Sequence, residues 1–205
     1  PALKIGRRIV LEGAVIVFSI LVAFAIDSWW QERQAADLEA QYLDALLLDV
    51  ERTRLASEEM TGRQERTAEE TRALAARVVA GGVSSDTIAL YSPTIWVTSE
   101  SMDTYRDLVA SGGTTRIRTL EVRRVMAQVQ RRVDYLHTAE AWALDLQTSL
   151  RTAIWAAPMP ITQSQVDQVW AAYSEIDQTL IQGHRDLAAA SDTALVVLRS
   201  ELEAR

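Results

Sequence analysis

The first apolar stretch of the chain is continuous rather than periodic. Residues 13–26 read GAVIVFSILVAFAI and contain no charged side chain, while Glu12 and Asp27 stand at the two ends. The wider window, residues 9–30, holds 22 residues and reaches roughly 33 Å as an α-helix, which is enough for a hydrocarbon layer of about 30 Å. The pattern predicts one transmembrane helix over residues 9–30.

The residues that flank this helix predict its orientation. Arg7 and Arg8 precede it, whereas Trp29 and Trp30 stand at its other end, where indole rings prefer the boundary between lipid and water. The residues that follow are mostly acidic. Because basic flanks are retained in the cytoplasm, residues 1–8 are predicted to form a cytoplasmic tip on a bacterial inner membrane, with the helical body in the periplasm.

Two other interpretations of the apolar stretch compete with a membrane span. A basic start, an apolar run and the small-residue pattern of residues 23–25 imitate a cleaved signal peptide, although Glu12 interrupts the apolar region. A buried core helix explains the hydrophobicity, but it does not explain the paired tryptophans or the charge asymmetry. We therefore favour the span.

One face of the predicted span carries small or polar residues. At 100° per residue, Glu12, Ser19, Ala23 and Asp27 fall within about 80° of one another. Small residues let helices approach closely, and carboxyl groups near a bilayer normally face protein or water. The stripe predicts a lateral helix partner. The alternative is that both acids lie at the headgroups, because they are roughly 22 Å apart along the axis.

Helical periodicity follows the span. No proline occurs between Ala2 and Tyr91, so a stalk helix is predicted over residues 31–80, with residues 51–72 charged and mostly solvated. The apolar positions of its first part are Leu38, Tyr42, Leu43, Leu46, Leu47 and Val50. A connector over residues 81–118 is predicted to contain one short helix, which Ser99 or Ser101 caps and which ends at the glycine pair 112–113.

Two long amphipathic helices are predicted over residues 119–205, as an antiparallel pair that completes a bundle. Thr119 caps the first, and Thr162 or Ser164 caps the second, after the turn at residues 158–160. The predicted core positions are Val122, Val125, Val129, Val133, Leu136, Leu144, Leu150 and Ile154 in the first helix, and Val166, Val169, Tyr173, Ile176, Leu180, Leu187, Leu195, Leu198 and Leu202 in the second. The predicted fold class is all-α.

Composition agrees with this class and narrows the partners. Only 8 glycines and 4 prolines occur, which favours helices, and the absence of cysteine removes disulfides and thiolate chemistry. The net charge of the whole chain is −7, and this value includes the basic residues Lys4, Arg7 and Arg8 near the N terminus. The rest of the chain is therefore more acidic than the total indicates. An acidic body argues against nucleic acid as a partner, because nonspecific binding to phosphates requires clustered basic residues.

Enzyme signatures are missing from the sequence. His137 and His184 lie in different predicted helices without a second histidine or cysteine at metal-ligand spacing, and no zinc, phosphate-loop or nucleophile-elbow motif occurs. The sequence therefore predicts no catalytic residue, no metal and no cofactor, and no small-molecule substrate is inferred. Trp155 and Trp170 flank the turn between the last two helices. They are candidate contacts with another subunit or with lipid, although tryptophans on helices more often close a core.

Two segments of the chain resemble a group of uncharacterised bacterial single-span membrane proteins. The first is LEGAVIVFSILVAFAIDSWWQER, with an acid before the span and an acid-x-Trp exit. The second is TYRDLVASGGTTRIRTLEVRRVMAQV, with a Tyr-x-x-Leu-x-x-Ser-Gly pattern. Trp30 and residues 113–115 depart from the group's pattern. The resemblance implies a relation over most of the chain, and it carries over no active site.

These features favour a non-catalytic scaffold or accessory subunit of a larger inner-membrane complex, whose partners are membrane lipid and other integral subunits. A photosynthetic or a respiratory assembly would be a natural host, and nothing in the residues distinguishes the two. The alternative is a periplasmic sensor or signalling module that transmits through the stalk helix. A hydrolase or transferase ranks third, because the constellations that such enzymes need are missing.

Overall fold

Four α-helices account for most of the described chain. The computed structural model describes residues 2–80, 93–97, 102–156 and 162–204, and gives the backbone alone at residues 2–12, 14, 79 and 154–156. The helices are α1 (Ala2–Val79), α2 (Asp103–Ala110), α3 (Leu120–Ala156) and α4 (Gln163–Glu203), and a 3-10 turn spans Gly113–Arg116. No strand occurs in these ranges, so the all-α prediction is confirmed for the part of the chain that is described.

Contacts divide the chain into two compact units, Pro1–Asp44 and Ala45–Arg205. In the first unit, every described side chain from Val15 to Ala35 is exposed. Here α1 is long and apolar enough to cross a membrane, and none of its most apolar window is buried. The buried-core interpretation is therefore wrong, whereas a signal sequence passes the same test of length and composition. The chain has one candidate membrane-spanning helix among its described residues.

In the second unit, α3 and α4 run antiparallel, and the later part of α1 runs antiparallel to α4. Their directions follow from contacts whose residue numbers rise on one helix as they fall on the other. Arg54 pairs with Asp192 at 2.6 Å and Glu65 pairs with Arg185, joining α1 to α4. Arg132 pairs with Asp186 at 3.1 Å, and Leu136 lies beside Gly183, joining α3 to α4. These ion pairs are exposed or half-exposed and contribute little to stability. The predicted bundle is confirmed.

The apolar stripes of α3 and α4 form the core of the bundle. All the predicted positions of α4 are buried except Leu202, which is half-buried, and α3 buries its predicted residues from Val122 to Leu136. The prediction is wrong at Leu144, which is 43% exposed, because after Leu136 the buried face of α3 continues through Ala139 and Ala143. In α1, the predicted positions that are buried are Leu43, Leu46 and Val50; Tyr42 and Leu47 are half-buried, and Leu38 is exposed.

The prediction that residues 51–72 are mostly solvated is wrong for one face of α1. This face is buried, and it consists almost entirely of small or polar residues: Thr53, Ser57, Gln64, Thr67, Ala68 and Thr71. The hydroxyl groups of Ser57 and Thr71 each donate to the backbone carbonyl four residues earlier, at 2.8 Å. These bonds satisfy the hydroxyls inside the helix and lower the free-energy cost of burying them. A pattern search for apolar residues cannot detect such a face.

The short helix α2 begins differently from the prediction. Its N-cap is Met102, which makes no side-chain capping bond, so neither Ser99 nor Ser101, which lie outside the described residues, occupies the cap position. Instead, Asp49 of α1 accepts a hydrogen bond from the backbone N–H of Thr104 at 2.9 Å. A carboxylate from a distant segment thus satisfies a free amide in the first turn of α2.

The ends of the other helices follow the predictions closely. Thr162 caps α4 through a capping box, in which its hydroxyl accepts from the backbone N–H of Gln165 and the Gln165 side chain accepts from the Thr162 backbone N–H. Helix α2 ends before Gly112, whose φ of 68° is left-handed and favours glycine. At Val79, α1 ends within one residue of the predicted boundary.

Candidate functional site

The most distinctive surface of the first unit is an apolar helix with no protein cover. Eleven large apolar side chains are exposed between Val15 and Trp30, and Phe18 and Phe24 are each 68% exposed. Such a surface in water would be unfavourable, whereas lipid or an apolar partner removes it from water at no desolvation cost. Trp29 and Trp30 close this segment, with ring centroids 6.4 Å apart and planes tilted by 50°. This segment, residues 15–30, is called the apolar segment below.

Two polar groups of the predicted helix-partner stripe have hydrogen-bond partners within α1. Ser19 donates to the carbonyl oxygen of Val15 at 2.8 Å, and Asp27 accepts from the side-chain amide of Gln31 at 2.8 Å. Ser19, Ala23 and Asp27 are exposed and follow one another at intervals of four residues, so they share a face. The side chains of Glu12, Arg7 and Arg8 lie outside the described part. The partner role of the stripe stays a prediction.

Of the two tryptophans near the predicted turn, Trp170 has a described side chain. The side chain of Trp155 lies outside the described part of the chain. Trp170 is half-buried on α4, packs against the core cluster around Ala143 and Ile176, and tilts against Tyr173 with ring centroids 6.3 Å apart. Much of the Trp170 ring therefore serves the bundle itself, and its contact with another subunit or lipid stays a prediction.

A buried polar network occupies the core of the second unit between α1 and α4. Gln64 donates from its amide nitrogen to Oδ1 of Asp177 at 2.6 Å, and its amide oxygen accepts from the backbone N–H of Trp96 at 3.4 Å. The indole N–H of Trp96 donates to the hydroxyl of Thr67 at 3.1 Å. Gln64 thus joins α4 to the segment that precedes α2, and we call Gln64, Thr67, Trp96 and Asp177 the Gln64 network.

Burial controls the ionisation of Asp177. The side chain is on α4 and the residue is 5% exposed. Desolvation raises the pKa of its carboxyl above the usual value, while the hydrogen bond from Gln64 and the charge of Arg72 oppose that rise. The carboxylate is therefore retained in the core by one neutral donor and one nearby cation.

The segment of residues 93–97 contacts both α1 and α3. The Gln147 side chain of α3 donates to the carbonyl oxygen of Pro93, and Ile95 packs against the core cluster. On the other side, the guanidinium of Arg63 lies 4.8 Å from the centroid of the Trp96 ring, a cation–π arrangement. The segment therefore bridges α1 and α3 through contacts that no local sequence pattern specifies.

A second pair of ionisable groups is buried between α3 and α4. His184 is fully buried, and its Nε2 lies 4.0 Å from an oxygen of Glu140, which is 4% exposed. That distance is too long for a hydrogen bond. Neither ring nitrogen of His184 has a hydrogen-bond partner among the described residues. Desolvation lowers the pKa of His184 to about 4, so the imidazole is neutral at pH 7 and does not form an ion pair there.

Sequence reasoning missed the buried acids Glu140 and Asp177 and their partner Gln64. Helical spacing was the available signal for the two acids, since Asp177 lies four residues after Tyr173 and Glu140 lies four residues after Leu136, both of them predicted core positions. Among the described residues, no group of three or more histidine or acidic side chains could hold a metal ion. These buried groups are therefore dispersed pairs rather than one clustered centre.

The fold and these surfaces define an all-α protein with one candidate membrane-spanning helix and a helical bundle whose core contains a polar network. Comparison with known proteins finds no matching family model, no matching curated protein and no matching solved structure.

Proposed function

We propose that this protein is a non-catalytic, membrane-anchored scaffold or accessory subunit of a larger complex in a bacterial inner membrane. The apolar segment is the observation that carries this proposal. Its exposed side chains surround the helix, and contact with lipid or with another apolar helix would remove them from water. The basic residues before it and the acidic residues after it support a cytoplasmic N terminus and a periplasmic bundle.

The stripe of Ser19, Ala23 and Asp27 supports a lateral partner in the membrane. The hydroxyl of Ser19 already donates and the carboxylate of Asp27 already accepts a hydrogen bond within α1, and Ala23 between them is small, so the face presents a small surface to a neighbour. Van der Waals packing between helices in lipid favours such small surfaces. The partner is therefore proposed to be another integral subunit. A photosynthetic or a respiratory complex would offer such subunits.

The direct test is gentle detergent extraction of native membranes that contain an affinity-tagged copy, followed by quantitative mass spectrometry of the proteins that co-purify. The scaffold proposal expects one or more integral proteins in fixed stoichiometry. Replacing Ala23 with leucine should reduce their recovery severalfold, because it adds bulk to the stripe. Replacing Val22 with leucine, about 100° away on the helix, is the matched control. A lone monomer, or equal recovery with both variants, would contradict the proposed contact.

Anchoring and orientation are tested separately. The intact chain should remain in the membrane pellet after carbonate washing, and protease added to spheroplasts should remove the bundle. A chain that appears in the supernatant would refute the membrane anchor, and a protected bundle would refute the periplasmic orientation.

The second candidate is a sensor or signalling module. The observation in its favour is the burial of ionisable groups in the bundle, above all Asp177 and His184, because their charge states couple packing to ligand or pH. A sensor would be recovered as a monomer or small homo-oligomer in the extraction experiment, whereas a scaffold would be recovered with other subunits.

A further inference from the structure

An open groove lies between α1 and α4, close to the C-terminal end of α4. Its volume is about 530 Å³. Leu55 of α1 and Val196 of α4 line it and are 59% and 69% exposed, and the buried side chain of Leu195 lines it as well. Single exposed apolar residues are ordinary on a protein surface, whereas exposed apolar side chains from two helices that line one groove mark a candidate contact surface.

Two ion pairs cross this groove and give its rim a defined pattern of charge. Arg199 of α4 donates to Glu51 of α1 at 2.8 Å, whereas Arg54 of α1 donates to Asp192 of α4 at 2.6 Å. All four side chains line the groove and are exposed or half-exposed. At one level of the groove the acid is therefore on α1 and the base on α4, and at the other level the two signs are exchanged.

The charge pattern of the rim selects among partners. A uniformly acidic or basic surface would meet like charges at two positions, and an uncharged helix would cover four rim charges without pairing any of them. The complementary surface has a base opposite Glu51 and an acid opposite Arg54. A second copy of the chain supplies both when a two-fold axis runs parallel to the helices, because that rotation preserves each level and sets α4 of the copy opposite α1.

We propose that the groove is the contact surface of a symmetric homodimer, in which α1 of each chain packs against α4 of the other. Leu55 of each chain then contacts Val196 of the other, and the burial of these side chains favours association. The exposed charges add little affinity, but they fix the register and the parallel orientation. Self-pairing goes beyond the function proposed above, because a scaffold and a sensor differ in whether other integral subunits co-purify.

Crosslinking between introduced cysteines tests this arrangement, because the chain has no cysteine of its own. Two full-length chains with different tags, one Leu55→Cys and the other Val196→Cys, are produced together, and the isolated membranes are oxidised with copper phenanthroline. The disulfide between these two chains should form severalfold faster than the one between two Leu55→Cys chains, since the α1 helices lie apart in the dimer. Leu144→Cys, at an exposed position of α3, is the control and should not crosslink to Val196→Cys.

An exchange of charges tests the complementarity. The variant Glu51→Arg, Arg199→Glu keeps the ion pair within the chain, and two exchanged chains also keep it across the dimer. In a mixed dimer with the unaltered chain, like charges face each other at this level, so pull-down through one tag should recover mixed dimers severalfold less often than either self-pair. The variant Arg132→Asp, Asp186→Arg exchanges an ion pair between α3 and α4 outside the groove and should mix freely.

Self-pairing of the exchanged chains establishes that they are folded. Equal rates for the mixed pair and for two Leu55→Cys chains would overturn the proposed arrangement, and so would free mixing of exchanged and unaltered chains. Crosslinking of Val196→Cys to a different integral subunit, in place of a second copy, would overturn the choice of partner. Ala23→Leu, the variant of the extraction experiment, should leave these crosslinks unchanged, so the two proposals fail separately.

Discussion

Gln64 and Asp177 are 113 positions apart in the chain, yet the amide nitrogen of Gln64 lies 2.6 Å from Oδ1 of Asp177 in the core of the bundle. Both residues are at most 5% exposed. A charge that is removed from water requires a partner of this kind, because an unpaired buried carboxylate is strongly destabilising. The contact therefore fixes the later part of α1 against α4 at one register.

Replacing Gln64 with leucine should lower the free energy of unfolding by about 2–3 kcal/mol, because Asp177 loses its neutral donor and the backbone N–H of Trp96 loses its acceptor. Denaturant titration of the full chain in detergent measures the change. Gln128→Leu, at an exposed position of α3, is the control and should stay within about 0.5 kcal/mol.

The double variant Gln64→Leu, Asp177→Leu separates the pair from simple packing. Removing both polar partners together should recover much of the loss, since no buried charge then remains. If the double variant is as unstable as the sum of the two single variants, the contact has no coupling energy and this account of the core is wrong.

His184 should make the bundle less stable in mild acid. The unfolded imidazole has a pKa of about 6.5, while burial lowers the pKa of His184 in the folded chain to about 4. Between these values the unfolded state binds a proton that the folded state does not. The free energy of unfolding should therefore fall as pH drops from about 6.5 to about 4, by up to about 3 kcal/mol, and should level off below that.

Unfolding curves from pH 7 to pH 4 test this for the full chain and for His184→Met. The raised pKa of Asp177 acts in the opposite direction, because the folded state retains that proton to higher pH, and it is common to both proteins. The difference between the two curves isolates His184, with Glu140 still present in both. His137→Gln, at a half-buried position, serves as the control. Parallel curves would show that protonation of His184 does not limit stability.

Gly183 allows α4 to approach α3 closely. A β-carbon added at this position would lie 2.9 Å from Cδ1 of Leu136, closer than real side-chain contacts allow. Gly183→Val should therefore destabilise the bundle by about 1–3 kcal/mol. Combining it with Leu136→Ala should cost less than the sum of the two changes, because the smaller residue leaves room.

The matched control for this prediction is Gly62, another glycine in a helix interior. A β-carbon there meets only the Arg66 side chain, at 3.6 Å, an ordinary contact. Gly62→Ala should stabilise the chain by about 0.5–1 kcal/mol, because alanine has the higher helix propensity. Thermal unfolding of both variants gives the comparison, and stabilisation by Gly183→Val would rule out the close approach.

Asp49→Ala should loosen the start of α2. Its carboxylate accepts from the backbone N–H of Thr104, so its removal leaves that amide without its partner and lowers stability by about 1 kcal/mol. Hydrogen exchange of the Thr104 amide should become faster, while amides in the middle of α4 should change little. Asp107→Ala, at an exposed position within α2, should not accelerate exchange at Thr104. Equal protection in the Asp49→Ala variant would mean that the cap does not hold this turn.

Individual residues show which features of the fold can be predicted from the sequence. Thr162 was identifiable as a cap because Gln165 follows at the spacing of a capping box, and the stripe from Val166 to Leu198 was identifiable because apolar side chains repeat with the helical period. Leu144 was misplaced because the buried face of α3 continues through alanines, which carry little hydrophobic signal. The buried face of α1 beyond Val50 was missed because it consists of threonine, serine, glutamine and alanine.

The sequence by itself determined the elements whose cause is local: an apolar run long enough to cross a membrane, helix boundaries at capping and glycine signals, and apolar stripes with helical period. Tertiary structure alone decided the partners of Asp49 and Asp177, the burial of Glu140 beside His184, and the position of Trp96 between α1 and α3. The physical reason is distance along the chain. Hydrophobic periodicity and capping depend on neighbours within a few residues, whereas a buried carboxylate finds its donor only when helices from distant parts of the sequence pack at a defined register.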